Sequence, residues 1–158
     1  MYAKAKANRS MTEVTRSIPT QAKISWPASR LCKHADYKRV YQISRKQFGK
    51  QMSYFYVLRP QLGADSTLVR GVSTDAARVG LTVSKAMGKA VDRNRIKRRM
   101  REAVRRQLQL LQTPVDLVLH PKRSVLDLNF ATLQREVAAV FRAVQKGTQK
   151  SRQTSLEA

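Results

Sequence analysis

Between positions 93 and 105 the chain sets Arg93, Asn94, Arg95, Lys97, Arg98, Arg101 and Arg105 in one short run, with Glu102 the only acid among them. A guanidinium is a planar fork that grips two phosphate oxygens at once. An asparagine amide both donates and accepts, which suits a base edge or a sugar hydroxyl. Like charges three and four residues apart repel on an isolated helix, so such a run is tolerable where it meets a polyanion. An ordinary basic helix is read as a solvated face. The near absence of acids here moves the reading to nucleic acid.

Residues able to make or break bonds are scarce. The 158 residues hold 10 acids, two histidines (His34 and His120) and one cysteine, Cys32. No Ser/His/Asp, Cys/His or clustered carboxylate set is visible, and two-metal hydrolysis needs several convergent carboxylates. A zinc cluster cannot be assembled from these residues. Cys32 excludes an internal disulfide and reads as a buried or inert thiol. The net charge of +22 favours polyanionic partners and salt-sensitive binding, and it is silent on fold. No apolar run is long enough to span a membrane and no secretory segment is present, so a cytoplasmic location is expected.

The basic run must be held by regular elements. Arg78 to Ser84 alternates, with Val79, Leu81 and Val83 on one face, which predicts a half-buried strand. Gly88 then breaks the pattern. From Asp92 the period becomes helical, and Ile96, Met100, Ala103, Val104, Leu108 and Leu111 form an apolar stripe. Asp92 or Asn94 is the expected cap. Pro114 stops the helix after Gln109 to Thr113, and Val115 to Leu119 reads as a strand with His120 at its end.

Upstream, Leu31 to Ile43 reads as a short helix carrying Tyr37, Val40 and Tyr41. Val40 belongs to a core. The two tyrosines beside lysines either pack there or stack on unpaired bases. Arg45 to Lys50 reads as a basic turn and Met52 to Leu58 as a strand. Tyr54, Tyr56 and Leu58 share one face of it and Ser53, Phe55 and Val57 the other; the pattern leaves open which of them lines a cleft. Arg59 to Ala77 is a long connection with a frayed strand at Thr67 to Val72. A last helix is expected from Phe130 to Lys146, capped by Asn129. The expected organisation is a disordered basic arm over residues 1–29, one domain over 30–146 and a loose tail over 147–158. An organelle transit peptide, or a translation start at Met11, are alternatives for the arm.

The run Gly88-Lys89-Ala90-Val91, then Arg93 to Arg98, then Arg101-Glu102 and Arg105, resembles the signature of the bacterial ribonuclease P protein component. Arg78 to Leu81 and Val83-Ser84-Lys85 match the strand leading into it, and the resemblance begins near Trp26-Pro27. Arg99 departs from it, standing where the family usually has an apolar residue. The resemblance implies an α+β domain in the order α-β-β(-β)-α-β-α, with the topology of a ribosomal protein domain. It also implies a left-handed βαβ crossover, where a right-handed one is the rule.

The same resemblance implies a function. The protein would bind a catalytic RNA subunit and the 5′ leader of precursor tRNA. The RNA would hold Mg2+ and hydrolyse the phosphodiester, with no catalytic residue on the protein. Gly88, Lys89, Arg93, Asn94, Arg95, Lys97, Arg98, Arg101 and Arg105 are the expected contacts to the RNA subunit. Tyr37, Tyr41, Phe55, Tyr56 and Lys85 are those expected for the leader. Asp116 falls where the family favours an acid. A non-enzymatic basic RNA-binding or RNA-chaperone protein fits the charge equally well, but nonspecific binding needs only charge and not the ordered strand, turn and helix. An autonomous nuclease is a remoter reading.

Overall fold

Residues 26–59 and 76–156 are described by the structure, a computed structural model. The elements are α1 (His34–Ile43), β1 (Gln47–Phe48), β2 (Met52–Leu58), β3 (Arg78–Leu81), α2 (Ala90–Gln107), β4 (Val115–Pro121) and α3 (Phe130–Leu156). The sheet order is β1-β2-β4-β3. β1 and β4 each pair antiparallel with β2, and β3 pairs parallel with β4 through the crossover helix α2. This is the expected α+β order. The arm expected over residues 1–29, apart from 26–29, and the strand expected at 67–72 lie outside the described residues.

The two-residue period of the strands divides the apolar side chains between two cores, one on each face of the sheet. Met52 and Tyr54 of β2 and Val115, Leu117 and Leu119 of β4 turn toward α2 and α3. There they meet Ile96, Met100, Val104, Val137 and Phe141 in the main core. Each such side chain stabilises the fold by about 1.5–3 kcal/mol when fully buried. The opposite face is smaller: Val118 packs with Leu31 and Val40, with Tyr37, Phe55 and Val57 at its rim. α1 therefore covers one face of the sheet, and α2 and α3 cover the other.

An ion network ties α1 down. Asp116 is fully buried, with Arg78 at 2.7 Å and Arg39 and Arg59 each at 3.3 Å. Arg78 also reaches Asp36 of α1 at 3.1 Å. The hydrogen bonds that Arg78 donates to Asp116 push the Arg78 pKa further up, whereas burial lowers that of Arg59.

Several boundaries differ from the expected ones, each for a local reason. α1 begins at His34, not Leu31, because residues 29–31 extend the sheet: Val79 donates to the Ser29 carbonyl at 2.7 Å and Leu31 to the Val79 carbonyl at 3.1 Å. In that extended stretch Leu31 takes the buried side and Cys32 is exposed, correcting the expectation of a buried thiol. α2 begins at Ala90 with Lys89 as its N-cap, so neither Asp92 nor Asn94 caps it. Asp92 sits in the first turn, where its charge complements the helix dipole. The expected basic turn at 45–50 contains β1, with Gln47 and Phe48 paired to Tyr54 and Ser53.

Asn129 does cap α3, accepting from the Ala131 amide at 2.8 Å. That helix continues to Leu156 where a loose tail was expected from residue 147. Its inner face stays packed beyond residue 146: the Tyr56 hydroxyl lies over Gly147, leaving no room for a Cβ, and Thr148 is buried.

Candidate nucleic-acid interface

α2 buries Ile96, Met100, Ala103 and Val104, and at 3.6 residues per turn this turns Asn94, Arg98, Arg101 and Arg105 outward along one line. Val91, Asn94, Arg95 and Arg98 surround an open recess of about 350 Å³. Among the described residues, Arg95, Lys97, Arg98 and Arg101 have no acid within ion-pair distance. Arg105 and Arg106 both hold Glu102 at 2.8 Å. Their hydrogen bonds pull the Glu102 pKa down to about 2. The upstream half of the helix is therefore the open cationic half.

The other basic residues of α2 are less available. Arg93 is partly buried and its guanidinium reaches back to the Gly88 carbonyl at 3.5 Å. Arg99 donates to the Leu126 carbonyl at 2.9 Å and also to that of Leu128. Its charge thus satisfies the carbonyls of a neighbouring loop. Gly88 has φ 123°, a backbone conformation that side chains rarely adopt, and Lys89 stands exposed at the helix entrance.

The second surface lies under α1. Tyr41 meets Phe55 edge-on with ring centroids 5.0 Å apart, and His120 approaches Phe55 at 5.5 Å. The Tyr41 hydroxyl lies 2.9 Å from His120 Nε2 and 3.2 Å from Thr82 Oγ1. Burial, with the charge of Lys46 behind it, holds the His120 pKa below its ordinary value. Tyr37 donates to the Leu31 carbonyl at 3.1 Å, and burial raises its pKa. Its ring lies against Gly80, where a side chain would collide with it. His34, Tyr37, Lys38, Tyr41, Gln42 and Thr82 line a groove of about 430 Å³. Lys85 is exposed in a 3-10 turn three residues beyond Thr82.

Tyr37, Tyr41 and Phe55 are thus brought together, and Tyr56 is not. It stacks with Tyr54 on the α3 side of the sheet, its ring centroid 6.4 Å away, because β2 alternates. Sequence reasoning missed Thr82 and His120 as members of the cleft. His120 shares the period-two face of Asp116 and Val118, but placing it against Tyr41 needs the packing of α1 over that face.

A family profile described as Ribonuclease P matches residues 27–145. This chain belongs to the ribonuclease P protein family. A ribonuclease P protein component from Desulforapulum autotrophicum is 33% identical over 115 residues, covering 73% of this chain and 87% of its own length. One from Bacillus velezensis is 30% identical over 114 residues, covering 72% and 87%. The fold is similar to that of a Staphylococcus aureus RNase P protein, solved as a mutant with defective mRNA degradation activity. The TM-score is 0.60 at 24% identity, covering 75% of this chain and 90% of that one. A ribonuclease P protein component has an RNA partner and a part in tRNA 5′ maturation. Among the described residues, no helix is long and apolar enough to cross a membrane.

Proposed function

We propose that the chain binds the catalytic RNA subunit of ribonuclease P through α2 and the 5′ leader of precursor tRNA in the cleft under α1. Arg95, Lys97, Arg98, Arg101 and Asn94 grip the RNA subunit, with Arg105 beside them and Arg93, Gly88 and Lys89 shaping the helix entrance. Tyr41 and Phe55 stack on leader bases, Tyr37 walls the groove and Lys85 meets a phosphate. The observation that carries this reading is that Tyr37 and Arg101 line one recess, together with Leu31 and Val79. The aromatic cleft and the cationic helix therefore meet at the β3 edge, where one protein can hold two RNA strands in fixed relation.

In this reading the RNA subunit carries Mg2+ and performs the hydrolysis, and the protein positions the substrate. Among the described residues no three His, Cys, Asp or Glu side chains are gathered as a metal-binding group. The proposed place of work is the cytoplasm. Reconstitution tests the proposal: the purified protein is mixed with a bacterial ribonuclease P RNA, and precursor tRNA cleavage is followed at low Mg2+. Rescue of cleavage by a protein that cuts nothing alone is the expected result. RNA binding without rescue would return the chain to the RNA-chaperone reading.

A further inference from the structure

One row of residues crosses the sheet beneath α1 and continues past the aromatic cleft to the outer edge. Phe48 pairs with Ser53, and Ser53 pairs with His120. Thr82, whose amide donates to the Leu119 carbonyl at 3.0 Å, closes the row on the far side. Directly paired residues project to the same side of a sheet. Gly49, the neighbour of Phe48, faces Val140 of α3, so Phe48 faces the α1 side. With strands about 4.8 Å apart, Phe48 stands about 10 Å from His120 along this row.

Phe48 is 75% exposed. The Lys46 ammonium lies 5.3 Å from its ring centroid and is also close enough to bear on His120. Lys122 bridges from the end of β4 to the β1–β2 turn, donating to the Lys50 carbonyl at 2.9 Å. Arg45 and Lys50 are exposed beside them. No acid occurs between positions 37 and 64 or between 117 and 126. A bare aromatic ring among cations that have no ion-pair partner among the described residues fits a partner that is flat and anionic at once. Unpaired nucleotides meet both demands, with a base for the ring and a phosphate for the ammonium.

We propose that Phe48 and Lys46 form a further subsite for single-stranded RNA, in which one leader base stacks on the Phe48 ring and its phosphate meets Lys46. The subsite rests on the leader reading above and extends the track beyond Tyr41 and Phe55. A leader must reach a minimum length before it arrives there.

The test uses holoenzyme reconstituted from the full chain and a ribonuclease P RNA, with precursor tRNAs whose leaders are lengthened one nucleotide at a time. Equilibrium binding is measured for the wild type, Phe48→Ala and Phe48→Trp. Below a threshold length the three are expected to bind equally. Above it Phe48→Ala loses about five-fold or more, the cost of one lost stacking contact, and Phe48→Trp retains wild-type affinity. If leaders strengthen wild-type binding and Phe48→Ala matches it at every length, the subsite is overturned and the leader cleft stands. If leaders add nothing even for the wild type, the leader reading fails with it. A Phe48→Ala variant altered only in self-association would make the ring a protein contact and overturn the proposal.

Discussion

The Tyr41 hydroxyl sits 2.9 Å from His120 Nε2, joining α1 to β4 in the interior of the sheet. A neutral imidazole can accept that proton or donate to the oxygen; an imidazolium can only donate. Burial and Lys46 hold the His120 pKa below its ordinary 6.5, so the unfolded chain takes up the proton first. The stability this represents is full above 6.5 and is lost as pH falls below it. The wild type should therefore lose more Tm than His120→Phe between about pH 7 and about pH 5. Thermal melts followed by circular dichroism decide this, and equal losses would refute it.

The open half of α2 should carry the salt dependence of RNA binding. Arg95 and Arg98 flank one recess without an acidic partner among the described residues. Replacing both with alanine should weaken affinity for the RNA subunit and make the slope of log K against log salt shallower by about two. Filter-binding titrations across a salt series measure both quantities. An unchanged slope would mean that these side chains do not touch phosphate.

Gly80 is open to a sharper steric test. A Cβ there would stand 2.7 and 2.8 Å from two Tyr37 ring carbons. Gly80→Ala should cost about 1–3 kcal/mol through overpacking. In the Tyr37→Ala background the same change should cost much less, since the colliding ring is gone. Denaturant unfolding of the four proteins gives the coupling, and simple additivity would disprove the contact.

Asp116 should be worth more to stability than an exposed ion-pair partner. It is fully buried beside Arg78, Arg39 and Arg59, and Arg78 links it to Asp36 of α1. Asp116→Asn keeps the shape and removes the charge that balances these guanidiniums. A loss of about 3 kcal/mol is expected, toward the low end for a broken buried pair because the arginines retain some contact with water. Urea unfolding checks the loss. Leader affinity should fall as well, because the network sets how α1 lies over the cleft.

Local sequence determined whatever depends on neighbours along the chain. The spacing of Ile96, Met100, Ala103 and Val104 specified which side of α2 is buried, and hence that Asn94, Arg98, Arg101 and Arg105 face outward. Val79 in β3, the cap at Asn129 and the core role of Val40 were legible for the same reason. Charge pattern alone pointed to a polyanion.

What the sequence left open depended on pairing between distant segments. Alternation showed that Tyr54 and Phe55 face opposite ways, but only the placement of α1 over one side of the sheet made Phe55 a cleft residue and Tyr56 a partner of α3. His120 looked like a strand end until α1, packed over that face of the sheet, set Tyr41 against it. Of the eight basic residues along α2, sequence reasoning left Arg99 and Arg106 out of the expected contacts but did not separate Arg105 from the rest. Tertiary contacts engaged Arg99 with carbonyls and Arg105 and Arg106 with Glu102, leaving Arg95, Lys97, Arg98 and Arg101 without an acidic partner among the described residues. Periodicity is a property of one element and can be read along the chain, whereas register and helix placement arise from joint packing of residues far apart in sequence.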